Sequence, residues 1–104
     1  MFELSMALNE KEKFKLGNIH LTKCVFDECQ HNSYFFEFVK ESIRRHSTCD
    51  WGDVNEEDKM ENDYSIDKHL RVFSAYNHPG SGLKIWVITE SDRSATTVLY
   101  PDEY

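Results

Sequence analysis

The last third of the chain constrains the fold most. "LRVFSAY", "LKIWVIT" and "SATTVLY" are short runs rich in β-branched and aromatic residues, each bounded by turn chemistry. "NHPGSG" separates the first two and "ESDRS" the last two, a layout that predicts a three-stranded antiparallel meander. Ile85, Trp86, Val87 and Ile88 are apolar on both faces of their strand, as in a central strand covered on each side. Such a sheet needs helices to bury it, and the preceding residues supply two candidates.

"NSYFFEFVKESIRRHS" is the better helix. Asn32 or Ser33 can cap it, and Phe35, Phe38 or Val39, Ser42 and Ile43 form an apolar stripe with Phe36 at its edge. Arg44, Arg45 and His46 fall in the last turn, where cations suit the helix dipole, and read as a solvated basic end. "VNEEDKMENDYSIDKHL" reads as a shorter helix, with Asp53 and Glu56 at capping-box spacing. Its apolar face is thin: Val54, Met60, Tyr64, Ile66 and Leu70. Upstream, "FKLGNIHLT" is a strand candidate through Phe14, Leu16, Ile19 and Leu21, with a slip of phase at Gly17 that suggests a bulge or turn. Residues 1–12 are expected to be frayed or a short helix. No repeat or linker interrupts the chain. The expectation is a single α+β domain over residues 1–104, with an antiparallel sheet of three or four strands and two helices packed on it.

The net charge of −7 argues against a nucleic-acid backbone as direct ligand, because binders of phosphate need basic surface. Its location is more informative. Residues 1–49 carry seven Lys/Arg and seven Asp/Glu, and residues 68–104 carry four of each. Residues 50–67 carry Asp50, Asp53, Glu56, Glu57, Asp58, Glu61, Asp63 and Asp67 against Lys59 alone, and so hold the whole net charge. This segment is either a solvated helix face or a surface whose field draws in basic partners.

Other chemistry is thinly supported. Cys24, Cys29, His46 and Cys49 contain zinc-type ligands, but the first pair is spaced too widely for a tight knuckle and the second straddles a helix end. The carboxylates after Asp50 lack the alternation and internal glycine of a calcium loop. No metal site or cofactor is therefore expected. Glu90, Asp92, Arg93 and Ser94 share one loop and offer acid–base groups, yet the same residues serve an ordinary turn. No histidine stands at a recognisable spacing from a nucleophile, and no phosphate loop or nucleophile elbow is present. Three cysteines, an odd number, argue against a disulfide framework. The first residues lack the basic region and cleavage site of a secretory signal, no apolar run is long enough for a membrane span, and the expected location is cytoplasmic.

"RRHSTCDWGDVNEEDKMEND", "RVFSAY" and "KIWVITESDRSATTVLYPDEY" closely resemble a small family of plasmid-related proteins carried by bacterial mobile elements. Its pattern runs RH…GDWGD…EDK…N, then R..SAY, then KIWIITEADRS.TT.L.P.EY, and the resemblance covers residues 15–104. Cys49 departs from it, standing where the family often has glycine, and Ser91 replaces a common alanine. The resemblance implies a role in replication, transfer or defeat of host defences, and an acidic chain suits the last. The expected activity is non-enzymatic inhibition of a host nucleic-acid-handling complex, a CRISPR effector or restriction enzyme, whose basic groove would accept Asp50, Asp53, Glu56, Glu57, Asp58 and Glu61. Trp51 would anchor that contact, or else lie buried under the helix start. The alternative is a small hydrolase or nuclease using the acidic block, Arg71 and the loop from Glu90 to Arg93. A third reading makes the apolar sheet a homodimer contact.

Overall fold

The computed structural model describes residues 1–7 and 11–104. The protein is α+β. In chain order its elements are β1 (Phe2–Leu4), β2 (Asn18–Leu21), α1 (Lys23–His31), α2 (Ser33–Ser47), α3 (Glu56–Lys68), β3 (Val72–Asn77), β4 (Lys84–Thr89) and β5 (Ala95–Leu99), followed by a short 3₁₀ turn at Pro101–Glu103.

The meander forms as its β-branched runs dictate, with β3 antiparallel to β4 and β4 antiparallel to β5. The sheet is larger than that and mixed. Its order is β1-β2-β5-β4-β3, with β2 parallel to β5 and antiparallel to β1. Three to four antiparallel strands and two helices thus become five mixed strands and three helices. β5 is the middle strand, and β4 is interior as expected, paired on both edges with Ile85, Val87 and Ile88 buried. Residues 2–4 form a strand rather than a frayed end or helix, because β1 pairs along β2 and Phe2 stacks on Phe26 of α1 with ring centroids 3.9 Å apart. The rest of that expectation reaches residues 8–10, outside the described residues. At Gly17 there is a turn: its φ is +66° and a Cβ there would lie 2.3 Å from the backbone of Ser94.

α1 was not expected. Thr22 caps it by accepting from the Val25 N–H, and only Val25 and Cys29, one turn apart, are buried. α2 follows its stripe, capped by Asn32, with Phe35, Val39, Ser42 and Ile43 buried. Together α1 and α2 cover the sheet face carrying Ile19, Leu21, Ile85, Val87 and Val98, and this layer is the main core.

The end of α2 is not a solvated basic turn throughout. His46 is completely buried and sits in a chain of polar side chains beneath the helix. Thr96 donates to the Leu16 carbonyl at 2.7 Å, and Thr89 and Thr96 lie 2.7 Å apart. Since the Thr96 proton is committed, Thr89 must donate to Thr96 and accept from His46 Nε2 at 2.9 Å. His46 Nδ1 is left as acceptor for the Ser74 hydroxyl. The one carbonyl at the end fixes every direction as far as His46 Nε2, and the bond from Ser74 follows because the buried imidazole is neutral. Burial, with the nearby Arg93 charge, pushes its pKa down to about 3.

Candidate functional site

The acidic segment begins by finishing the sheet. β3 is an edge strand, whose outward N–H and C=O groups would otherwise be open to pairing with other chains. The Ala75 N–H donates to the Trp51 carbonyl at 3.2 Å, the Asp53 N–H donates to the Ala75 carbonyl at 2.7 Å, and Gly52 bridges Ala75 in parallel. The Asn77 N–H donates to the Asp53 carboxylate at 3.0 Å. Further along, Asn62 of α3 imitates a strand with its amide: its Nδ2 donates to the Phe73 carbonyl at 2.7 Å and its Oδ1 accepts from the Phe73 N–H at 3.2 Å. Of the alternate residues of β3, Phe73 and Ala75 are satisfied at both backbone groups from this block, and Asn77 at its N–H. Gly52 makes the close approach possible. Its φ is +74°, and a Cβ would fall 2.1 Å from the Ala75 oxygen.

Two further carboxylates of the segment are used in the same way. Asp50 takes a fork from Arg45, Nε at 2.7 Å and Nη2 at 3.1 Å, while its own carbonyl accepts from the Tyr76 hydroxyl at 2.6 Å. The Arg45 hydrogen bond holds the Asp50 carboxyl below the usual carboxylate range. Asp63 accepts the indole N–H of Trp51 at 2.9 Å. Trp51 is 3% exposed, packed edge-on to His46 and beside Phe14. It therefore lies beneath the helix start and is unavailable as a surface anchor. Asp50 and Asp53, though exposed, are already spoken for by the fold.

α3 itself sits differently from its sequence reading. Asn55, not Asp53, caps it by accepting from the Asp58 N–H at 2.8 Å. The residues it buries are polar, Asn62 and Ser65, because it docks on backbone groups of a strand edge rather than on a sheet face. Of the apolar residues expected to face inward, Val54 is buried and Ile66 packs against the cluster around Trp51, whereas Met60 (71% exposed), Tyr64 (58%) and Leu70 point outward. Arg93 secures the far end. It donates through Nη1 to the Leu70 carbonyl at 2.7 Å and through Nη2 to the Ser65 carbonyl at 3.1 Å, placing a cation where the helix dipole is negative.

The outer surface of α3 is thus a stripe with Met60 and Tyr64 at its centre, one turn apart, and carboxylates around them. Glu56 reaches Lys59 at 3.4 Å across an exposed pair. Glu57, Glu61 and Asp67 make no hydrogen bond or ion pair through their carboxylates among the described residues. Asp58 is half-buried at the flank of the helix, and Lys68 lies 5.8 Å from the Tyr64 ring. Of the expected contact residues, Glu56, Glu57, Asp58 and Glu61 belong to this helix surface. Met60 and Tyr64 were missed as surface residues, and their placement follows from the unpatterned polarity of the helix around them.

The residues of the alternative enzymatic site are brought together in two separate places. Arg71 lines a hollow with Asp58 and Glu61, whereas Asp92 and Arg93 line another with Asp67 and His69. The loop at 90–94 is closed on itself, Asp92 accepting from the Ser94 N–H at 3.0 Å and Arg93 donating to carbonyls rather than to a carboxylate. The Ser74–His46 pair is fully buried. Among the described residues no group of three or more His, Cys, Asp or Glu could hold a metal ion; Cys24, Cys29 and Cys49 are free thiols, and burial pushes Cys29 up to about 11. Cys49 has φ +66°, a left-handed position that glycine occupies without strain. None of the described helices is long and apolar enough to cross a membrane.

Comparison of the chain with protein-family models, with curated proteins and with solved structures finds no match in any of the three.

Proposed function

We propose that this is a mobile-element protein that acts in the bacterial cytoplasm by docking the outer face of α3 into a basic groove of a host nucleic-acid-handling defence complex, a CRISPR effector or restriction enzyme. The observation that carries the reading is an exposure: two of the three apolar residues of the most acidic helix, Met60 and Tyr64, face solvent within a field of carboxylates while Ile66 packs inward. A solvated structural helix gains nothing from that order. An interface gains from it twice, since tyrosine and methionine are enriched at interface centres and surrounding charge steers encounter with a basic partner. Glu57, Glu61 and Asp67 are offered without an internal partner, and Arg93 and Asn62 hold the helix rigid behind them. The contact residues are therefore Glu56, Glu57, Asp58, Glu61 and Asp67 around Met60 and Tyr64.

The test is inhibition of DNA cleavage by a purified guide-loaded CRISPR effector and by a purified restriction enzyme. Wild-type protein should inhibit one of them, less strongly as salt rises. A Glu57→Gln, Glu61→Gln, Asp67→Asn variant should lose about tenfold or more in potency. Inhibition of neither enzyme, or equal inhibition by the variant, would refute the proposal.

A further inference from the structure

The two edges of the sheet are treated differently. β3 is closed by residues 51–53 and by Asn62, whereas no described strand pairs with the outer side of β1. The ladder behind β1 decides which groups it leaves open. The Asn18 N–H donates to the Ser94 carbonyl and the Thr22 N–H to the Val98 carbonyl, so alternate residues of this strand bond toward β5. Ile19 and Leu21, between them, bond the other way, toward Leu4 and Phe2 of β1. The N–H and C=O of Glu3, and of Ser5 beyond it, therefore point outward. No turn, loop or side chain among the described residues meets them.

The side chains alternate to match. Phe2 stacks on Phe26, and Leu4 and Met6 pack against the main core, while Glu3 and Ser5 are exposed. Beside β1, on the helix side, an open hollow of about 260 Å³ is walled by Leu4, Leu21, Phe26, Cys29 and Phe36. An incoming strand finds hydrogen bonds at every second residue and an apolar seat under the helices.

We infer that this edge is the contact between two copies of the chain, β1 pairing antiparallel with β1 of the second copy about a two-fold axis at Leu4. The segment Phe2-Glu3-Leu4-Ser5-Met6 reads apolar, polar, apolar, polar, apolar in either direction. Laid antiparallel on itself, it sets Leu4 against Leu4, Phe2 against Met6 and Glu3 against Ser5. Glu3 and Ser5 are the residues with outward backbone groups, so they exchange the hydrogen bonds. Every apolar residue stays on the helix side, and the two Leu4 side chains meet at the mouths of the two hollows. An axis through Glu3 would instead set two carboxylates opposite each other, and one through Ser5 would leave Phe2 facing a residue beyond Met6. The contact is isologous, and it joins the 5-stranded sheets of both copies into one. α3 lies at the opposite edge and stays free in each copy, so this inference does not depend on the proposed function.

The experiment is sedimentation equilibrium of the full chain across a concentration series from about 1 μM to about 1 mM. Wild type should pass from monomer to dimer within it. Ser5→Pro removes an outward N–H without touching the pairing of β1 with β2, and should weaken the dimer about tenfold or more. Ser5→Glu sets a carboxylate against Glu3 of the second copy and should weaken it about fivefold, whereas Ser5→Lys should strengthen it by a similar factor. Both charge effects should fade as salt rises. Amide exchange at Glu3 and Ser5 should slow as protein concentration increases. If Ser5→Pro does not fold, the two charge variants decide, since Ser5 is exposed. A monomer throughout, a dimer that a folded Ser5→Pro leaves intact, or charge variants that move affinity in the same direction would each overturn the inference.

Discussion

Two sets of carboxylates in the acidic segment carry the same charge and have opposite employment. Asp50, Asp53 and Asp63 are each tied to a donor of the fold: the Arg45 guanidinium, the Asn77 N–H and the Trp51 indole. Glu57, Glu61 and Asp67 have no such tie, and the helix bearing them is anchored through the neutral groups Asn62 and Ser65. The difference shows that a run of carboxylates is not one feature. One set ties the segment to the fold beside the closed sheet edge, and that closure fixes where the other set is displayed.

The comparison can be broken from its structural side first. Gly52→Ala drives a methyl group into the Ala75 carbonyl at a left-handed backbone position, so it should cost about 3 kcal/mol or more and lower the thermal midpoint steeply. An alanine tolerated at this position would mean that the 51–53 strand does not hold β3. Asn62→Ala comes next. It leaves both the N–H and the carbonyl of Phe73 without partners, an expected loss of about 2 to 3 kcal/mol by urea unfolding, and hydrogen exchange at Phe73 should quicken.

Acid should act through the residue beneath the same block. His46 titrates near 6.5 in an unfolded chain and at about 3 in the folded protein. With the folded value depressed, the unfolded chain takes up the proton first. Stability is therefore complete above pH ~6.5 and is lost as pH falls toward 3, at about 1.4 kcal/mol per unit. Between pH 7 and 5 the urea midpoint should drop by the equivalent of about 2 kcal/mol, and His46→Gln should flatten that dependence. Asp50, whose carboxyl is held low by Arg45, adds its own loss only below the ordinary carboxylate range.

Legibility in the sequence tracked the range of the interaction. The meander and α2 were readable because β-branched runs, turn residues and a helical stripe are local signals, and both match closely. α1 was not, since two buried residues in "KCVFDECQH" make no pattern. The parallel pairing of β2 with β5 joins residues more than seventy positions apart through no turn that a sequence could show. His46 reads as a helix-end cation because nothing nearby in the chain announces Ser74, Thr89 and Thr96, which supply its hydrogen bonds and their direction. The concentration of charge at residues 50–67 was plain, but its division was not. That depended on Asn62 meeting a strand edge 11 residues later and Gly52 meeting it further along at Ala75, which also turned Met60 and Tyr64 outward.

The most direct measurement sets two variants of equal charge change side by side in urea unfolding: Asp50→Ala, Asp53→Ala, Asp63→Ala against Glu57→Ala, Glu61→Ala, Asp67→Ala. The first should lose about 2 to 4 kcal/mol, most of it from the unpaired Trp51 and Asn77 donors and little from the solvent-screened Arg45 pair. The second should stay within about 0.5 kcal/mol of wild type, because alanine favours the helix and no partner is lost. Equal losses in the two variants would contradict the division of the segment into carboxylates that build the fold and carboxylates that it displays.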